Sequence, residues 1–292
     1  MVTCYRRLPE FNYLRPESLD EVLSLLEKYK GRAKVIAGGT DIIPKLKRRE
    51  IKPPQYLIDI KNIHKLDYIK NGKNGLKMGA LTTINTVESS PIIQQEYNLL
   101  YQAARSMASV QIRNRGTIAG NICNAVPSAD NAPALLVLDA KIKLLSVKSS
   151  RIVEISKFFT GPNKTVIAPG ELLQEIKIPQ PAANSKSLYI KLTPRHSMDL
   201  AVVGVAVLID YQGNIVRDIK IALGAVSPTP IRARKAEAYL LGKKLDEVSI
   251  NSAAEIAAGE AQPISDHRAS AEYRKDMIAV LTRRAINQLL AI

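Results

Sequence analysis

The chain is poor in the residues that build metal sites and covalent frameworks. Only two cysteines, Cys4 and Cys123, occur in 292 residues. Two distant thiols make neither a disulfide framework nor a zinc site, which needs Cys or His clustered at short spacing. An iron–sulfur cluster usually takes four thiolates, so this chain alone holds none. The three histidines, His64, His196 and His267, are also dispersed, which argues against a metal centre. No acyl-transfer nucleophile stands out: G-x-S-x-G is absent and neither cysteine has a local histidine. The paired carboxylates Asp20-Glu21 read as helix capping. Any redox chemistry must therefore be carried by a cofactor.

Long apolar runs are also missing. No stretch approaches the roughly eighteen residues of a membrane span, and the N-terminus lacks the apolar core of a signal peptide. The expectation is a cytoplasmic protein with no membrane partner. Acidic residues are scarce, 27 against 42 Lys and Arg, giving a net charge of +15. Nucleic-acid modules gather basic residues on one stripe, often with stacking aromatics. Here Lys and Arg are spread along the chain and aromatics make up 5%. The charge reads as a solvated basic surface, without nucleic acid. What is present in quantity is apolar residues, 46%, enough for a sizeable core in one to three domains.

Residues 18-SLDEVLSLLEKYKG-31 predict an amphipathic helix, with Ser18 and Glu21 as a capping box and Gly31 as its stop. A short strand at 34–36 leads into 37-AGGTD-41, and a helix over 42–50 follows, with Asp41 as its N-cap and Pro44 in its first turn. Residues 56–60 read as a strand. Segments 66–70 and 76–80 read as a hairpin, and 83–90 and 97–108 as helices. Gly116 to Asp130 reads as a long irregular segment, followed by a helix at 132–140 and strands at 141–147 and 151–156. The Pro, Ala, Asn and Ser of 179-PQPAANSKS-187 mark a linker. Beyond it, 188–193, 201–209 and 215–226 predict an antiparallel group. Helices at 232–242, 249–261 and 269–292 close the chain, the last with Tyr273, Met277, Val280 and Leu281 on one face and Ala285 at its edge.

Two glycine-bearing connections carry the chemical interest. In 37-AGGTD-41 the glycines permit positive φ and let backbone N–H groups face an anion closely. The turn is neither a P-loop nor the Rossmann fingerprint, and it contains no lysine. By itself it fits a plain tight turn as well as an anion site. In 111-QIRNRGTIAGNICNAVPSAD-130, Thr117, Asn121, Asn124 and Ser128 offer uncharged hydrogen bonds, and Asp130 offers a carboxylate suited to ribose or ribityl hydroxyls. A surface loop with local turn-forming Asn and Asp fits the same residues. Two such segments in one alternating α/β half point toward a nucleotide-type ligand.

At these segments the sequence resembles the separate FAD-binding subunit of the molybdenum hydroxylases, most nearly the bacterial xanthine dehydrogenase type. The family's A-G-G-T-D-[LIV] is matched by 37-AGGTDI-42, and its T-[IVY]-G-G-N and following Asp by 117-TIAGN-121 and Asp130. Residues 111-QIRN-114, 158–165, 171–179, 189–204 and 226–237 extend the likeness over nearly the whole chain. One departure is Ala119, where the family has glycine. The resemblance implies an α+β fold: a PCMH-type FAD-binding domain over 1–179, of two α/β subdomains (about 1–55 and 56–179), then an α+β domain over 186–292. It implies FAD contacts from Lys34, Val35, Ile36, Ala37, Gly38, Gly39, Thr40 and Asp41, and from Thr117, Ile118, Ala119, Gly120, Asn121 and Asn124. Asp130 would hold a cofactor hydroxyl, and Leu173 and Lys191 match further FAD-contacting positions. No side chain need act as acid or base. The implied partners are a large subunit with the molybdenum cofactor and a small one with two [2Fe–2S] clusters, in a dimer of heterotrimers, with NAD⁺ as acceptor. Xanthine, hence purine metabolism, is the expected substrate, favoured by segments 158–165 and 226–237. A CO, nicotinate or aldehyde dehydrogenase type with another acceptor is the alternative.

Overall fold

Strand-forming and helix-forming segments alternate early in the chain, and they fold into the layers that such alternation dictates. The computed structural model describes residues 7–195 and 198–291; Cys4, His196 and Ile292 lie outside the described residues. The chain runs β1 (Asn12–Leu14), α1 (Leu19–Lys28), β2 (Ala33–Ile36), α2 (Ile42–Arg48), β3 (Tyr56–Asp59), β4 (Ile69–Gly72), β5 (Gly75–Gly79), α3 (Ile84–Ser89), α4 (Pro91–Glu96), α5 (Asn98–Arg105), α6 (Val110–Arg113), α7 (Ile118–Asn124) and α8 (Asn131–Val137). It continues through β6 (Lys141–Leu145), β7 (Ser150–Glu154), β8 (Phe159–Gly161), β9 (Lys164–Thr165), β10 (Leu172–Ile178), β11 (Lys186–Leu192), β12 (Val203–Gln212), β13 (Ile215–Gly224), β14 (Ile231–Arg232), α9 (Arg234–Leu240), α10 (Glu247–Glu260) and α11 (Ala271–Leu290).

Among the described residues, three larger sheets and the two-stranded β8-β9 ribbon organise these elements. The first is parallel, in the order β1-β3-β2. Because β3 pairs with both neighbours, this sheet runs on to Asp59, past the subdomain boundary expected near 55. The second sheet, β4-β5-β10-β6-β7, is antiparallel throughout. The third, β11-β12-β13-β14, is also antiparallel, as the pattern beyond residue 187 predicts. Between β10 and β11, residues 179–185 carry no helix or strand.

Period-2 alternation in β12 explains how the last sheet joins the rest. Val203, Val205, Val207 and Ile209 face a core shared with α9, α10 and α11. Ala206 and Leu208, on the other face, join Tyr189 and Ala222 in the core of the first half. Each buried aliphatic side chain contributes about 1.5–3 kcal/mol, so both faces are committed. Backbone contact is close here: a methyl group on Gly224 would sit 2.7 Å from Pro133 Cγ, and Ala225 N donates to Pro127 O at 2.8 Å.

Several local expectations change. The first half of the segment 116–130 is helical, because Thr117 accepts a bond from Gly120 N and Ile118 and Ile122 bury one side of α7, while 125–130 is irregular as expected. Asp41 stands at the N-cap of α2 with helical backbone angles and makes no side-chain capping bond. The hairpin turn between β4 and β5 is only Lys73-Asn74. On α11 the buried side is Arg274, Ile278, Leu281, Thr282, Ala285 and Leu289, whereas Tyr273 is exposed. Leu281 and Ala285 of the expected stripe are buried and Met277 packs against the core; Arg274 occupies a buried position because its guanidinium donates to Val202 O, Ala225 O and Asp266.

Candidate functional site

Strand β2 carries the chain inward to the buried Ile36, whose carbonyl accepts from Ile60 N at 3.1 Å. The chain then turns at Gly39, whose φ of +78° is one that side chains avoid. Ile43 N bonds back to Gly39 O at 3.2 Å and opens α2. On the opposite side, Ile84 N donates to Gly116 O at 2.9 Å and Ile118 N to Thr82 O at 3.3 Å. Thr117 caps α7 with its hydroxyl 2.9 Å from Gly120 N. The two glycine connections touch backbone to backbone: a methyl on Gly38 would sit 1.9 Å from Arg115 O and 2.9 Å from Gly116 Cα.

These segments wall a cavity of about 900 Å³, within the usual range for small-molecule sites, roughly 300–1,000 Å³. Of the residues singled out in the sequence, Lys34 to Asp41, Thr117, Ala119, Gly120, Asn121, Asn124 and Leu173 line it. Ile118 joins the hydrophobic core instead. A third wall comes from Thr160, Asn163, Lys164 and Thr165, around the β8–β9 turn. At one end Tyr29, a lining residue, stacks on Tyr56 with ring centroids 3.7 Å apart.

Asp130 and Lys191 stand apart from this lining. The Lys191 ammonium donates to Asp130 Oδ2 at 2.9 Å and to Ser106 O at 3.1 Å, and Tyr189 donates to Asp130 Oδ1 at 3.1 Å. The carboxylate expected to hold a cofactor hydroxyl thus already accepts from one protein donor on each oxygen. It remains close behind the wall: the neighbouring Asn131 donates to Asn121 Oδ1, and Ser106 precedes Met107, both Asn121 and Met107 being lining residues. Burial pushes the Asp130 carboxyl above the usual carboxylate range, and the Lys191 charge offsets this only in part.

The sequence reading passed over Lys45. It lies one helical turn beyond Asp41 and lines the cavity with it. Burial lowers the Lys45 ammonium below the ordinary lysine value, against the pull of Asp41, and burial raises Asp41 against the pull of Lys45 and Arg48. The i, i+4 spacing was the available signal. Cys123 also lines the cavity, with its thiol pushed up to about 12 by burial, so it is no nucleophile. Among the described residues there is no cluster of His, Cys, Asp or Glu able to hold a metal, and no helix is long and apolar enough to cross a membrane.

Two glycine segments converge on this cavity, with a third wall of polar side chains, an arrangement suited to a protein that holds a small-molecule cofactor. The family described as the FAD binding domain in molybdopterin dehydrogenase matches residues 9–181, and the CO dehydrogenase flavoprotein C-terminal domain matches 189–289. The chain belongs to this family, the FAD-binding medium subunits of the molybdenum hydroxylases, and FAD is its cofactor. It is 38% identical over 281 residues to the glyceraldehyde dehydrogenase medium chain of Sulfolobus acidocaldarius, covering 96% of this chain and 99% of that one. It is 35% identical to the carbon monoxide dehydrogenase medium chain of Hydrogenophaga pseudoflava, covering 96% of each. To the xanthine dehydrogenase FAD-binding subunit of Escherichia coli it is 32% identical, again over 96% of each. In three dimensions it superposes on a chain of the Hydrogenophaga pseudoflava carbon monoxide dehydrogenase with a TM-score of 0.94 at 36% identity, over 98% of this chain and 99% of that one.

The residues present fit this cofactor. Gly38 lets the two glycine connections meet backbone to backbone along the cavity, and the lining supplies neutral donors and acceptors beside it. Ala119, the departure from the family pattern, sits inside α7, outside the left-handed region. Its methyl group therefore imposes no backbone strain.

Proposed function

We propose that this chain is the electron-transfer subunit of a cytoplasmic molybdenum hydroxylase complex. Residues 34–41, Thr117, Ala119, Gly120 and Asn121, with Asn124 and Leu173, would hold the cofactor in the cavity, and the Asp130–Lys191 pair would back it from behind the wall. The convergence of the two glycine connections on one cavity supports this most directly. FAD bound there would supply the one- and two-electron redox chemistry. The protein's part is to bind, orient and shield it. The chain itself offers no cluster of cysteines, so the [2Fe–2S] clusters belong on a small partner and the molybdenum cofactor on a large one, in a dimer of heterotrimers. Residues 1–179 and 186–292 are the proposed domains, with the strand-free 179–185 between them.

The substrate is bound on another subunit. Identity orders the candidates: the glyceraldehyde dehydrogenase relative at 38% and the carbon monoxide dehydrogenase relative at 35% stand ahead of the xanthine dehydrogenase relative at 32%. An aldehyde-oxidising complex is therefore the first reading. The carbon monoxide type comes next by identity, and the xanthine type, favoured by segments 158–165 and 226–237, follows it, with NAD⁺ as acceptor. The purified chain should be yellow with one FAD per chain, and a colourless, FAD-refractory chain with intact circular dichroism refutes the reading. Assaying the assembled complex with glyceraldehyde, carbon monoxide and xanthine, each with NAD⁺ or an artificial acceptor, separates the substrate readings.

A further inference from the structure

Lys45 is tied to both flanking walls of the cavity. From α2 its ammonium donates to Asn124 Oδ1 at 2.5 Å, at the end of α7, and to Asn163 Oδ1 at 2.7 Å, in the β8–β9 turn. All three residues line the cavity beside Gly38, Gly39 and Thr40. Both acceptors are neutral amides, so they hold the ammonium in place without cancelling its charge. An ammonium has three donors, and the two amides take two of them. The same wall carries Asp41, a carboxylate that no capping bond occupies. A diphosphate held against the glycine turn would meet that negative charge as well as the backbone N–H groups.

We infer that Lys45, among the basic side chains lining the cavity, is the cation that offsets the Asp41 carboxylate and helps to neutralise the diphosphate of the bound dinucleotide. This rests on the FAD reading above and assigns a charge that the glycine turns lack. Attraction between partly buried charges is strengthened by the lower local dielectric, and what remains exposed to solvent is screened by salt. The contribution therefore has a signature that a purely mechanical tether lacks: a dependence of affinity on ionic strength. It also puts the specificity on the diphosphate.

The test titrates FAD into the full-length apoprotein by flavin fluorescence over a range of NaCl concentrations. K45M and K45Q should weaken FAD about tenfold or more at low salt, as expected for one lost charge-assisted hydrogen bond. They should also flatten the salt dependence. K45R keeps the charge and should retain the wild-type salt dependence. K45Q still offers an amide donor to the Asn124 oxygen, so it separates loss of charge from loss of the tether if K45M folds poorly. Unchanged FAD affinity in K45Q overturns the inference, and so does weaker binding with the wild-type salt dependence, the result of a tether alone. A wild-type chain that binds no FAD would instead overturn the parent reading.

Discussion

Lys191 and Asp130 form an ion pair of 2.9 Å in which both side chains are less than one-tenth exposed. The pair joins the end of β11 to the start of α8, and so fastens the last sheet to the first half of the chain. Tyr189 completes it, and Gly204 leaves room for that ring: a methyl there would lie 2.9 Å from the tyrosine hydroxyl. Removing one partner leaves the other charge buried and unpaired, which costs about 3–5 kcal/mol. D130N and K191M should each destabilise the protein on that scale. D130N/K191M should lose clearly less than the sum of the two single changes. Urea unfolding of the four proteins measures the coupling, and strict additivity would show that the pair does not act as a unit.

Gly38 and Gly259 make opposite predictions. G38A forces a methyl group against Arg115 O, where nothing can yield without moving backbone. Overpacking of this kind costs about 1–3 kcal/mol, and here it also parts the two glycine segments. The variant should be isolated with little FAD and a lower unfolding midpoint. Gly259 lies inside α10 with nothing within 4 Å of an added methyl. G259A should gain about 0.5–1 kcal/mol from helix propensity and keep its full FAD content. Flavin absorbance per chain, with urea unfolding, reads both.

The Asp266 carboxylate gives the fold a specific response to acid. It accepts from the Arg268 side chain at 2.6 Å and from Arg274 at 2.9 Å. Burial works to raise its pKa, but the Arg268 hydrogen bonds and the charges of both arginines outweigh it and hold the carboxyl well below its ordinary 3.8. A depressed folded pKa means that the unfolded chain protonates first. The stabilisation is therefore complete above about pH 4 and is lost as pH falls from there toward the folded value. D266N should be less stable at neutral pH and should show a shallower fall in stability between about pH 4 and 2. Parallel slopes for wild type and variant in that window would disprove the assignment.

The parts of the fold that follow from local physics were legible in the sequence. Ser18 caps α1 by accepting from Glu21 N at 3.2 Å, and Val22, Leu23 and Leu26 fall on its buried side as their spacing requires. Even there only half of the expected capping box forms, since the Glu21 carboxylate accepts from Glu17 N instead. The alternating valines of β12 announced a strand, and its antiparallel partners follow. Helix α7 was hidden because Gly120, Asn121 and Asn124 are turn-forming residues by composition; the Thr117 cap and the burial of Ile118 and Ile122 override that preference.

The sequence by itself determined that Gly39 must turn the chain, that Thr117 can start a helix, and, through the motifs at 37–42 and 117–121, the family to which the chain belongs. Each of these depends on residues within a few positions of one another. Only the tertiary structure decided that Gly38 abuts Arg115, that Lys45 reaches Asn124 and Asn163, and that Asp130 is held by Tyr189 and Lys191. Those contacts join segments far apart in the chain. They exist because the packing of α2, α7, α8 and the last sheet brings the segments together, and no local propensity encodes that distance.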